Sequence, residues 1–502
     1  MGDRCDSFFH SLALVVRPDL RPGMGEAGPR PQEKKLRGYA HPDATSTGSG
    51  FNSLSRKASK DDEQRRARMS SLRRRVSALV TTNPRLTAQT TLFNLARLAI
   101  GAVGSILLAR WLGPHGRGLL AAALLLPPLL VAIGGSGVAP AFFYLSGSQR
   151  VERSRLTSSA AYLAVVQSMV LCLGGYVLVG LLFSTRGAEL TFSASIYLAT
   201  IPAGFLGVYY LQILLGAGEV RLYNWIGMVI PVGYLIGIIA LAVVDRLDIL
   251  PLVVLQICLN GSVSVLSMFA LRRRRVKILA YGPRAIAKTS AEVLRYAVRA
   301  LAGDASSALN LRLDQLIVAA LLPPSQLAFY AVAVSITGVL SVFPTAVKIV
   351  NTPQIAQQAD SDEREDLIRL TTRTLLRVAL PLWIVATIML PILTRLVLGP
   401  EWAPVLKPEL VLIAAGVVLG FKEVLVACAA ASGDPWLGSR TELVGLTVTI
   451  AGLVLLVPSF GIMGAALTSL AAYLISTVTV ARGFQRRLGY RVFAAPRHGR
   501  KE

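Results

Sequence analysis

Twelve times between residues 88 and 483 the chain runs through roughly 18 to 25 residues carrying few charges. A bilayer core about 30 Å thick needs a helix of that length. Inside hydrocarbon each backbone N–H and C=O must be satisfied internally, which helices achieve within one segment. The pattern therefore predicts an all-α polytopic membrane protein of about twelve transmembrane helices. The first six spans are expected near 88–109, 118–144, 157–183, 190–216, 223–244 and 250–271. The second six are expected near 300–322, 327–350, 374–398, 408–432, 440–458 and 462–483. With 53% hydrophobic and only 16% charged residues, the composition excludes an ordinary soluble domain of 502 residues.

Connections are short except at 272–299. The predicted organisation is a disordered basic cytoplasmic tail over 1–85, an N-lobe of six helices over 86–271 and a basic cytoplasmic linker over 272–299. A C-lobe of six helices over 300–484 and a basic cytoplasmic tail over 485–502 follow. "MSSLRRRVSALV" from Met69 reads as a more typical membrane-protein start, so the first 68 residues have the character of an extension.

A net charge of +24 raises the question of nucleic acid, and its distribution answers it. With the N-terminus inside, 26 basic residues fall in inner loops and the C-tail. Only Arg110, Arg117, Arg186, Arg246, Arg395 and Lys407 fall in outer loops. That asymmetry is membrane topology with both termini cytoplasmic, and no nucleic-acid partner is expected. Arg369, Arg373 and Arg377 recur every four residues on one inner face, a pattern that attracts anionic membrane lipids. Cysteines and histidines are scattered and form no metal-ligand spacing, and no phosphate-binding GxxxxGK[ST] loop occurs. No metal or bound cofactor is expected.

The halves are weakly similar. "LLARWLGPHGRGLLAAAL" aligns with "VAALLPPSQLAFYAVAV", pairing Gly113 with Pro323, and a later alignment pairs Gly218 with Gly433. The offsets, 210 and 215, are those of one duplicated unit. Any substrate site then lies between the halves.

"ARWLGPHGRG" (Ala109 to Gly118), with Arg110, Leu112, Gly113, Pro114 and Gly118, resembles the stretch joining the first two spans in the polysaccharide transporter branch of the MOP flippase superfamily, the Wzx-like oligosaccharide flippases. Asn310, Asp314 and Tyr330, then "LVLGPEWAPV", "ASGDP" and "GIMGAALTSLAAYL", continue the likeness in order. Ala328 and Pro323-Pro324 depart from it. The resemblance implies a MATE/MOP-like fold and export of lipid-linked oligosaccharide for surface polysaccharide assembly from the cell inner (plasma) membrane. Glycan polymerase and glycosyltransferases are its implied partners.

Ionisable residues within the spans are the site candidates, since each costs about 2.5–3.5 kcal/mol at a helix centre. A lipid-linked sugar presents an anionic pyrophosphate, and a planar guanidinium grips phosphate oxygens bidentately. Arg97 and Arg312 open the two repeats and are expected to face each other as an anion clamp, with Asn94 and Asn310 beside them. Asp304, Asp314, Lys422 and Glu423 are candidates either for internal ion pairs or for coupling to a proton or sodium ion. On a straight helix Arg312 and Asp314 lie about 200° apart and cannot pair. A membrane glycosyltransferase is disfavoured by short outer loops without an evident acidic pair. A cation-coupled multidrug exporter would call for acid in the first span, which offers Arg97 instead. A lipid II flippase, with fourteen spans, is the runner-up.

Overall fold

The computed structural model describes residues 84–148, 151–278, 280–358 and 361–489. Most of both predicted tails, and Arg150 of the inner loops, lie outside the described residues. Among the described residues the chain is helical throughout, without a strand. The first half contains α1 (Pro84–Ala123), α2 (Leu126–Gly135), α3 (Val138–Gly147), α4 (Arg153–Phe183) and α5 (Ala188–Tyr197). It continues with α6 (Thr200–Gly216), α7 (Val220–Ile226), α8 (Val229–Val243) and α9 (Ile249–Arg273). The second half contains α10 (Pro283–Asn310), α11 (Leu313–Leu321), α12 (Pro324–Thr337) and α13 (Val342–Gln357). It ends with α14 (Ser361–Leu398), α15 (Leu406–Ala431) and α16 (Pro435–Gly483).

Nine helical runs among the described residues are long and apolar enough to cross a membrane. Two of them contain a glycine with non-helical backbone, Gly113 (φ 65°) in α1 and Gly461 (φ 56°) in α16. Each therefore counts as two passages, and the more polar α10–α11 completes the expected twelve. Large apolar side chains such as Met169, Leu173 and Leu181 of α4 point outward, while Ser154, Thr157, Ser158 and Ser159 of the same helix are buried. This arrangement suits a lipid surround. Residues 283–299, expected as linker, are helical and continuous with the seventh passage.

The duplication is written in the backbone. Residues with positive φ recur as Gly187 and Gly399, Gly218 and Gly433, Asp245 and Gly461, and Arg275 and Gly489. Their separations are 212, 215, 216 and 214 residues, so the repeat extends well beyond the two motifs that show it in sequence. The ion pairs repeat too: Arg274 meets Glu219 at 2.8 Å, and Arg487 meets Asp434 at 3.0 Å. "ASGDP" is the local logic of this junction. Gly433 supplies the left-handed turn, Asp434 caps the next helix by accepting from the Leu437 amide at 3.1 Å, and Pro435 starts it.

The seventh passage is not a straight helix. α10 stops at Asn310, Arg312 is the N-cap of α11, and the axis breaks between them. α10 packs on α2, α3 and α4 as well as on α16, with Tyr144 stacked on Tyr296 at 5.0 Å and Ser159 bonded to Ser290 at 2.7 Å.

Candidate functional site

In the N-terminal half, Arg97 projects from α1 against α7. Its Nη2 donates to the Asn224 carbonyl at 3.1 Å, and the guanidinium lies 5.9 Å from the Tyr223 ring centroid. A Cβ at Gly227 would overlap it, so only glycine leaves this seat open. Asn224, fully buried, donates to Thr90 Oγ1 at 2.9 Å. The buried Nε of Arg97 has no hydrogen-bond partner. Asn94 is half-buried, one turn earlier on the same helix. Among the described residues no carboxylate lies within ion-pair distance of Arg97.

Arg117 is a second guanidinium of this kind. Assigned from the sequence to an outer loop, it instead sits one turn past the Gly113 break inside α1. Its Nη2 reaches Ser105 Oγ at 3.5 Å, its Nε is buried without a hydrogen-bond partner, and Tyr234 of α8 is its electrostatic neighbour. Arg117 too lacks an ion-pair partner among the described residues.

The C-terminal half treats its charges differently. Lys422 is almost fully buried, and its ammonium meets Glu442 at 2.7 Å and Glu423 at 3.6 Å. Lys348 meets Glu423 from α13 at 3.1 Å. Asn310 joins this network, donating to the Glu442 carbonyl and carboxylate at 3.1 and 3.2 Å and accepting from Thr449 at 3.2 Å. Lys422 and Glu423 both lie in ion pairs within this network. Glu442 completes the network and escaped the sequence reading, although a carboxylate within an apolar block was signal enough.

The remaining candidates separate at the break. Arg312 is exposed, and Nη1 donates to Gln315 of its own helix at 3.4 Å. No hydrogen bond or ion pair among the described residues joins it to Arg97. Asp314 is buried in the first turn of α11, accepting from Tyr330 at 2.6 Å, the Gln315 amide at 2.7 Å and Ser469 at 3.4 Å. Asp304 accepts from the Gly137 amide at 3.1 Å, fastening α10 to the break between α2 and α3. Arg369, expected to face lipid head groups, is buried and paired with Glu365 at 2.5 Å.

The halves also meet at the end of the bundle that holds Gly113 and Gly399. Arg110 donates to the Val397 carbonyl, and Arg186 donates to the carbonyls of Leu322 and, at 2.5 Å, Ala320. Both guanidiniums thereby sit at C-terminal helix ends, where the helix dipole favours cations. Gly118 lies directly under the Pro324 carbonyl, where a Cβ would not fit.

Comparison with known proteins fits this architecture. The family model described as polysaccharide biosynthesis protein matches residues 107–407. Among curated proteins no match was found. Among solved structures the chain is similar to lipid II flippase MurJ in an inward closed conformation, at 15% identity and a TM-score of 0.65, over 79% of this chain and 87% of that one. It is similar at 13% identity and a TM-score of 0.60 to an inward-facing multidrug resistance MATE family transporter of the MOP superfamily, over 80% and 94% of the two chains. A third similar structure is the Vibrio cholerae MATE transporter VcmN in its bent form, at 18% identity and a TM-score of 0.55, over 82% and 98%. The chain therefore belongs to the polysaccharide biosynthesis protein family and carries the fold of MOP-superfamily transporters.

Proposed function

We propose that this chain moves lipid-linked oligosaccharide across the cell inner membrane for assembly of a surface polysaccharide, its two six-helix halves alternately opening to either side. The observation that carries the reading is the family match on a transporter fold. The balance of buried charge supports an anionic substrate. Arg97 and Arg117 are guanidiniums without carboxylate partners among the described residues, which favours a phosphate and disfavours a cationic drug. With both termini cytoplasmic, the Gly113 end faces outward and is the end held shut by Arg110 and Arg186.

In this cycle Arg97 and the exposed Arg312 take the pyrophosphate, with Asn94 beside Arg97. They need not touch in the closed state, because the substrate bridges them. Asp314, bonded by hydroxyls rather than by an ammonium or guanidinium, is the carboxylate we assign to coupling with a proton or sodium ion. Glycosyltransferases that build the lipid-linked glycan and a polymerase that consumes it are the partners this activity requires.

The test is export in cells that depend on this chain. Arg97→Ala and Arg312→Ala are expected to abolish surface glycan and to accumulate its lipid-linked precursor, with normal membrane insertion. Wild-type surface glycan in both variants would remove the two arginines from the site.

A further inference from the structure

The end of the bundle opposite Gly113, which the proposed function places in the cytoplasm, carries a run of exposed arginines, Arg272 to Arg275, closing α9. Arg274 is paired with Glu219 at 2.8 Å, as Arg487 is with Asp434 in the other copy of the repeat. Arg272, Arg273 and Arg275 have no ion-pair partner among the described residues. The helix dipole alone would favour cations here, and membrane topology alone would favour basic residues on this side. Arg275 goes beyond both. It holds a left-handed backbone (φ 59°) just after the helix. There its amide donates to the Arg272 carbonyl at 2.9 Å, and the Val276 amide donates to the Leu271 carbonyl at 3.1 Å. That turn ordinarily takes glycine, which adopts it without steric cost, and the other copy has Gly489 (φ 72°). Backbone strain kept for a charged side chain points to a use for the charge.

The segment is a fixed shelf. Val276 is buried, and Lys277 is stitched to the start of α4: its amide donates to Ser154 Oγ at 3.1 Å, and its carbonyl accepts from Thr157 Oγ1 at 3.0 Å. The arginines also continue an apolar stripe. Val265, Phe269 and Arg272 share one face of α9, as do Leu266, Phe269 and Arg273, at spacings of three and four residues. Val265, Leu266 and Phe269 are exposed, as a lipid surround allows, and the Arg273 guanidinium lies 4.5 Å from the Phe269 ring centroid. Over about two helical turns this face passes from hydrocarbon contact to positive charge without an ion-pair partner.

We infer that this corner docks an anionic phospholipid of the surrounding bilayer. An acyl chain lies along Val265, Leu266 and Phe269, and the phosphate lies on Arg272, Arg273 and Arg275. A guanidinium grips phosphate oxygens bidentately, and the acid of this shelf, Glu219, is neutralised by Arg274. Only the choice of the cytoplasmic leaflet rests on the proposed function.

The test titrates phosphatidylglycerol, phosphatidylcholine and glycerol 3-phosphate into the purified full-length chain in detergent. Retained lipid is counted by native mass spectrometry, and melting is followed in parallel. Wild type is expected to hold phosphatidylglycerol about tenfold more tightly than either other probe. Arg275→Gln should weaken it about fivefold, the worth of one basic residue at an anionic surface, and Arg272→Gln with Arg273→Gln should weaken it further. Arg275→Gly should lose the same affinity yet melt, without lipid, no lower than wild type, because glycine relieves the left-handed strain. Arg486→Gln, at the matching end of the other copy, should stay within about twofold of wild type. An equal effect of Arg486→Gln would reduce the attraction to net charge and overturn the site. Wild-type affinity in Arg275→Gly, equal retention of phosphatidylcholine, or a lower melting temperature in Arg275→Gly would overturn it also. No arm uses a glycan, so a chain that fails to export glycan but keeps this lipid preference would sink the flippase reading and leave the site standing.

Discussion

The two halves descend from one repeat, yet they hold buried charge in opposite ways. The C-terminal half neutralises Lys422 and Lys348 with Glu442 and Glu423 and ties the network to Asn310. The N-terminal half keeps Arg97 and Arg117 without an ion-pair partner among the described residues, each with a buried Nε that has no hydrogen-bond partner. Equivalent positions make the contrast concrete. Where one copy has Glu442, the other has Ile226 and Gly227, and Gly227 admits the Arg97 guanidinium. Removing one partner of a buried ion pair strands a charge, whereas a buried guanidinium without an acid must be carried by neutral groups, as Arg97 is by the Asn224 carbonyl and the Tyr223 ring. On the proposed function, the N-terminal half is the one that meets the anion, while the C-terminal half keeps its buried charges internally neutralised.

This contrast breaks most readily at Lys422. Leaving Glu442 buried without its ammonium should destabilise the protein by about 3–5 kcal/mol. Lys422→Ala should therefore unfold at much lower temperature in detergent, and Lys422→Met with Glu442→Leu should recover most of the loss. Unchanged melting of Lys422→Ala would dissolve the distinction between the halves. At the closed end, Arg186→Ala removes two charge-assisted bonds to the end of α11, about 2 kcal/mol of closure. Spin labels at Thr185 and Glu401 should report a longer separation, and an unchanged distribution would show that Gly118 and Pro324 alone hold the seal. The half-buried Lys348–Glu423 pair should contribute less, about 1 kcal/mol, so Lys348→Met should lower the melting temperature only slightly. Smallest of all is the stability effect of Arg97→Ala, which relieves an uncompensated charge and should change unfolding by less than about 1 kcal/mol.

Sequence made the twelve passages legible because the demand of hydrocarbon is local: each block must be long, apolar and helical by itself. The junctions were legible where glycine, aspartate and proline spelled out a turn, as at Gly433-Asp434-Pro435. The break at Leu311–Arg312 was not, since neither residue is a helix breaker and the bend answers to packing of α10 on the N-terminal half. Arg97 and Lys422 stood out as charges in apolar blocks, but their partners, Asn224 and Glu442, lie 127 and 20 residues away in sequence. Periodicity carries no information about such pairings. Arg117 was hidden by its closeness to the Gly113 turn, where a basic residue reads as loop.

On the proposed function, Arg97 of the N-terminal half serves an anionic lipid-linked glycan. The most direct measurement is translocation of fluorescent lipid-linked oligosaccharide by the purified protein in liposomes, compared with a lipophilic cationic dye. Wild type is expected to move the glycan-lipid, Arg97→Ala to lose at least tenfold at unchanged thermal stability, and neither to transport the dye. Dye transport without glycan-lipid movement, or full glycan-lipid activity in Arg97→Ala, would contradict it.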